Sequence, residues 1–250
     1  KLLSDLVSSD ITRNIETKII YVDDYASASS AGITATTTLT VRSAKRAVDS
    51  IYKKWNPEYI VIFGSQDIFP FQELINPVYK PDEDDDHIVP SDLPYACDKA
   101  YSNSISYFTG PTRVVGRIPD IPGVPDIEYL KSVFDAIINN KQVKSEMLMQ
   151  YFAITAEVWK QSTELSLKNM FGNNSNLKNS PTAITPHSSA DLKQLIHFYN
   201  CHGSPSDSKF YGQKGMSYPT AQHSPDIDSK ISKGTIIAAE CCYGAELYDP

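Results

Sequence analysis

Leu195-Ile196-His197-Phe198-Tyr199-Asn200-Cys201-His202-Gly203-Ser204 and, further on, Thr235-Ile236-Ile237-Ala238-Ala239-Glu240-Cys241-Cys242-Tyr243-Gly244 decide how this chain is read. Each is a short apolar run, of strand length, that ends in residues able to do chemistry. The first delivers a histidine followed by glycine. The second delivers two adjacent cysteines. Working outward from them, strands alternate with amphipathic helical segments. Residues 18–22 (KIIYV), 59–63 (YIVIF) and 149–154 read as strands. Residues 41–55 repeat Val41, Val48, Ile51, Tyr52 and Trp55 at helical spacing. Residues 126–140 place Tyr129, Leu130, Val133, Phe134 and Ile137 on one face, with Asp126 at the cap position and Asn139-Asn140 as the stop. Residues 161–170 read as a helix and 172–176 as a loop. Residues 191–194 read as the end of a short helix leading into the histidine strand. This alternation predicts an α/β fold with a mainly parallel central sheet and helices on both faces. Open α/β sheets place their sites at the carboxyl ends of the strands, where the histidine and the cysteines lie.

The chain has 250 residues, 41% of them hydrophobic and 21% charged, which suffices for one substantial core. A net charge of −7 argues against a nucleic-acid partner, since phosphate contacts need clustered Lys and Arg. No apolar run reaches the ~18 residues of a membrane span. Cys97, Cys201, Cys241 and Cys242 lack the paired spacing of a zinc site and are too few for a disulfide framework. That usage fits a reducing, cytoplasm-like compartment. The chain starts at Lys1 rather than Met, so an export leader upstream stays open. Residues 27–38, rich in Ser, Thr and Ala, read as a loop or edge ribbon. Residues 81–90, carrying Asp82-Glu83-Asp84-Asp85-Asp86, read as a solvated surface loop that lacks the glycine and the terminal glutamate of a calcium loop.

The histidine and the cysteines are 40 residues apart but leave the same end of one sheet. A thiol nucleophile needs a nearby imidazole to take its proton, and the same imidazole can then protonate a leaving amine. Gly203 allows close approach of a substrate and offers an N–H to an oxyanion, and Gly244 suits a sharp turn after the cysteine. Strand alternation points Cys241 and Cys242 in opposite directions, so only one of them can meet His202. His197 lies mid-strand and reads as structural, whereas His87, His187 and His223 read as solvated loop residues. Taken singly, a histidine before glycine is usually a turn residue and a cysteine at a strand end is usually packing. It is the pairing after two strands that carries the reading. A metal site at Cys201-His202 finds no second ligand pair. Lys209, Tyr211 and Gln213 are read equally as groove residues and as plain surface.

Tyr199-Asn200-Cys201-His202-Gly203-Ser204 and Ile236-Ile237-Ala238-Ala239-Glu240-Cys241-Cys242-Tyr243-Gly244 resemble the histidine and cysteine motifs of the caspase-like peptidases. Val61-Ile62-Phe63-Gly64-Ser65-Gln66-Asp67-Ile68-Phe69-Pro70, Pro90-Ser91-Asp92-Leu93-Pro94-Tyr95-Ala96 and Val114-Val115-Gly116-Arg117-Ile118-Pro119 resemble the gingipain type within them. The likeness extends over roughly residues 18–245. It implies a caspase-like sandwich forming a single domain over 1–250, divisible into an N-terminal part (1–140) and a catalytic part (141–250). It implies a cysteine endopeptidase with a His202–Cys242 dyad, an oxyanion hole from the N–H groups of Gly203 and Cys242, and selectivity for one side chain before the cut, leaning to Arg or Lys. Glu240, two positions before Cys242, matches the acidic residue that precedes the nucleophile in relatives, whereas counting back from Gly244 favours Cys241. Asp92, then Asp98, match the position of a histidine-orienting acid. No cofactor is implied, although the resemblance leaves room for a structural calcium. Substrate-pocket loops in this fold commonly follow the cysteine strand, so a segment beyond Pro250 or a second chain is expected to complete the domain, with activation by processing. The alternative is a non-catalytic caspase-like regulatory or scaffold module.

Overall fold

The computed structural model describes residues 1–82, 84, 86–141, 143–179 and 187–244. Glu83 and Asp85 of the acidic run, and Ala245 and Pro250, lie outside the described residues. The chain divides into two compact units, Lys1–Phe134 and Asp135–Glu246.

In the first unit, strands β1 (Tyr59–Phe63), β2 (Gln72–Ile75), β3 (Ile88–Ser91) and β4 (Val114–Ile118) form two pairs. β1 runs parallel to β4, and β2 antiparallel to β3. The amphipathic stretch at 41–55 forms the helix Val41–Trp55. Thr40 and Ser43 start it with a reciprocal capping box, and Asn56 stops it in the left-handed region. Its apolar stripe packs Ala44 and Val48 against Ile62 and Tyr95. Fully buried Lys45 is tolerated because it donates to Asp49 (2.5 Å) and to the Cys97 carbonyl (3.1 Å). Two expectations fail here. Residues 18–22 form no strand, since no β-ladder takes up their backbone; the Tyr21 N–H instead donates to Ser27 Oγ at 2.8 Å. Ser27–Ser30 is not loop but the end of a short helix, Tyr25–Ser30, whose N-terminus is capped by Asp24.

In the second unit, β5 (Tyr151–Thr155), β6 (Leu177–Asn179) and β7 (Ile196–Asn200) precede a small antiparallel pair, β8 (Lys209–Tyr211) and β9 (Thr220–His223), and β10 (Ile236–Glu240) follows. The four strands β10-β7-β5-β6 form one wholly parallel sheet in that order. Alternation along the strands splits the core in two. Phe152, Ile154, Tyr199 and Cys201 pack with Leu192 of the helix Ser189–Leu192 on one face. Tyr151, Ala153 and Phe198 pack with Leu167 of the helix Lys160–Phe171 on the other. The expected parallel sheet with helices on both faces is thus found in this unit. Asp126 caps the helix Ile127–Ile138 as expected, accepting from the N–H groups of Glu128 and Tyr129. No helix among the described residues is long and apolar enough to cross a membrane.

Candidate active site

The histidine and cysteine strands are direct neighbours. β7 and β10 pair in register from Ile196↔Ile236 to Asn200↔Glu240. The pairing reaches one residue further, where the Cys201 N–H donates to the Glu240 carbonyl at 3.3 Å. His202 and Cys242 are the next residues on each side, so topology closes the 40-residue gap in sequence. The two backbones then converge. A Cβ at position 203 would fall 1.6 Å from the Cys242 carbonyl oxygen and 3.3 Å from its nitrogen, so only glycine fits there. Gly244 is also tight, its would-be Cβ lying 3.0 Å from the Cys241 carbonyl oxygen. The left-handed residue of the turn after the cysteines, however, is Tyr243 (φ 57°) rather than Gly244. The turn therefore carries backbone strain that a glycine at 243 would relieve.

His202 is held by four residues. Its backbone exchanges two hydrogen bonds with Tyr211, both 2.8 Å. Its ring lies 4.5 Å from that of Trp159 and 5.2 Å, edge to face, from that of Tyr218. Its Nε2 meets Gln213 Oε1 at 2.8 Å. Trp159 is placed by the turn Glu157–Trp159 after β5, and the Glu157 N–H donates to the Gln213 carbonyl at 3.0 Å. Strand β5 and the hairpin after β7 thus fix the same imidazole.

The two cysteines behave differently. Cys241 is half-buried and packs against the core cluster of Tyr199 and Cys201, with its Sγ 3.8 Å from the Tyr199 carbonyl. The Cys201 thiol is its titratable neighbour in that cluster. Their interaction, with burial, pushes the Cys201 thiol well up, and the same interaction holds the Cys241 thiol below its ordinary value. The lowering comes from a neighbouring thiol inside the core, with no imidazole or cation contributing. Cys242 is exposed at the strand end.

Asp92 lies in the first unit, where both carboxylate oxygens accept from Arg117, at 2.8 and 2.7 Å. Asp98 is exposed in the same unit. The side chain on the far nitrogen of His202 is Gln213. Nothing in the sequence singles it out from its hairpin neighbours, because an eleven-residue separation becomes contact only once the hairpin folds back. His197 is fully buried, as expected of a mid-strand histidine. His187 is no solvated loop residue: its Nε2 lies 2.8 Å from the Ala221 carbonyl and its ring packs on Phe152. His223 belongs to β9. Among the described residues, no group of three or more His, Cys, Asp or Glu side chains is arranged to hold a metal ion.

The sequence matches peptidase family C25 over residues 3–241. The chain belongs to this family. It is therefore a gingipain-type, caspase-like cysteine peptidase, a hydrolase acting on protein or peptide substrates. The matched region takes in His202 and Cys241 and ends one residue before Cys242. No curated protein and no solved structure matches the chain.

Proposed function

We propose that this C25 peptidase cuts within polypeptide chains by means of Cys242 and His202. The observation that carries the reading is the register of β7 with β10, which sets His202-Gly203 against Cys242 and leaves Cys242 exposed. In the reaction, Cys242 Sγ attacks the carbonyl before the scissile bond while its proton passes to His202. The N–H groups of Gly203 and Cys242 hold the oxyanion. Collapse breaks the C–N bond, and His202 returns the proton to the leaving amine, giving a thioester. Water, deprotonated by His202, then releases the acid and restores the thiol. Cys241 serves the core in this reading, because its thiol faces Tyr199 and Cys201. Selectivity for Arg or Lys before the cut follows from the gingipain resemblance, as does activation by processing.

Fluorogenic peptides ending in Arg, Lys or Asp, tested on wild type, Cys242→Ala and Cys241→Ala, decide the matter. Cys242→Ala is expected to lose activity by at least ~10³-fold, as removal of a nucleophile does. Cys241→Ala should stay within a few-fold of wild type. The opposite pattern would transfer the nucleophile to Cys241. Absence of cleavage, together with no labelling by a thiol-directed peptide probe, would favour a regulatory or scaffold role.

A further inference from the structure

We infer that Gln213 is the positioning residue of His202, setting its tautomer so that Nδ1 is the base. The inference rests on the Cys242–His202 reading and adds a component to it. The carbonyl oxygen of Gly215 can only accept. It lies 3.0 Å from Gln213 Nε2, so the amide must present its NH2 group to Gly215. The other end of the amide, Oε1, is then the atom 2.8 Å from His202 Nε2. Oε1 has no proton to give, so Nε2 of the imidazole must carry one. In the neutral ring the lone pair therefore sits on Nδ1, the nitrogen left to take a proton from the Cys242 thiol.

The arrangement works through a whole cycle. When Nδ1 gains the thiol proton, both ring nitrogens are donors, and Nε2 continues to donate to Gln213 Oε1. No hydrogen bond needs to be remade as the proton moves. The Gln213 side chain is anchored for this task at both ends of its residue. Its carbonyl accepts from the Glu157 N–H at 3.0 Å, and Gly215 adopts φ 57° at the hairpin tip, where Lys214 and Ser217 close the turn with two backbone bonds. The ring it orients also touches the rings of Trp159 and Tyr218. In Ser-His-Asp triads a carboxylate does this work, and replacing it with an amide of the wrong polarity costs ~10⁴-fold. Here a neutral amide of the right polarity stands in that place. A carboxylate from Asp92 is not required for it, and that side chain is bound to Arg117.

The test uses the full chain and three variants. Gln213→Ala removes the acceptor, Gln213→Lys replaces it with a donor, and Gln213→Glu restores an acceptor. Losing a neutral orienting group should lower kcat ~10-fold in Gln213→Ala with KM little changed. The donor variant, which forces the opposite tautomer, should lower it by ~10³-fold or more, and Gln213→Glu should recover to within a few-fold of wild type. A change confined to KM would make Gln213 a substrate-groove residue and overturn the inference, as would an unchanged kcat in Gln213→Lys. The second readout needs no substrate. Ring ¹⁵N shifts of His202, recorded in Cys242→Ala above the pH at which the imidazole is charged, should show Nε2 protonated. They should show Nδ1 protonated once Gln213→Lys is added. A parent ring protonated on Nδ1 would overturn the inference even if Cys242 and His202 prove essential. Conversely, activity surviving in Cys242→Ala alone would sink the dyad and leave the tautomer result standing as structure only.

Discussion

The strands that carry the histidine and the cysteines have similar apolar sequences and lie side by side, yet their surroundings differ. β7 sits between β10 and β5, and its central residues His197, Phe198 and Tyr199 are buried on both faces. Among the described residues β10 lies at the edge of its sheet, and Ile236 and Ile237 are 57% and 43% exposed. His197 and Ile237 are register partners, one fully buried and the other open. The histidine strand is thus built into the core of the second unit, while the cysteine strand is held to it through one ladder and a glycine contact. Disturbing β7 should therefore cost stability. Disturbing β10, or its contact with Gly203, should cost activity first.

The largest effect is expected at the contact itself. Gly203→Ala puts a Cβ where the Cys242 carbonyl oxygen lies, so the two strand ends must part. A misplacement of about 1 Å can cost ~10²-fold in rate, and a loss of at least this size is expected, with the unfolding midpoint little moved. If activity survived, the close approach of Gly203 and Cys242 would not be part of the working site. The next test trades core against edge. Phe198→Ala empties a position packed by Tyr151, Ala153 and Leu167 and should destabilise by ~3–5 kcal/mol in urea unfolding. Ile237→Ala, one register step away, loses much less buried area and should cost under ~1 kcal/mol. Equal costs would mean that β10 is as much a core strand as β7.

The elements legible in the sequence are those whose own residues determine them. Tyr59–Phe63, Val41–Trp55 and Ile196–Asn200 form where periodicity places them, because strand alternation and a capped helical stripe need no distant partner to be recognised. Residues 18–22 show the limit: an apolar, β-branched run becomes a strand only if a neighbouring strand pairs with its backbone, and among the described residues none does. The same limit governs the site. His202-Gly203 and Cys241-Cys242 are visible as motifs, and alternation already says that the two cysteines diverge. Gln213 is visible only as one of three residues read equally as groove and as plain surface, and Trp159 and Tyr218 not at all, because a hairpin and the turn after β5 bring them to the imidazole from outside its own strand. Asp92 shows the converse. A resemblance selects it, while its carboxylate forms a two-pronged ion pair with Arg117 that no local pattern announces.

The smallest expected effect is in the pH dependence of stability, and it sharpens the contrast at the register pair itself. Burial is the largest influence on His197 and lowers its affinity for a proton below that of a free imidazole. The Tyr199 hydroxyl, 3.2 Å from its Nδ1, supplies a partner for the neutral ring. In the unfolded chain the same ring takes up a proton below about pH 6.5. The unfolded state then binds more protons than the native one, so stability is full above that pH and falls as the pH is lowered through it. The slope can reach at most about 1.4 kcal/mol per pH unit for one group. Urea midpoints compared between about pH 7 and about pH 5.5, above the range where most carboxylates titrate, should show this decline. His197→Gln, which has no proton to gain, should flatten it, at the expense of a lower midpoint throughout. The neighbouring position on β10 offers a control, since Ile237→Gln should leave the slope as it is. A slope unchanged by His197→Gln would mean that the histidine strand is less securely buried than its place between β10 and β5 implies.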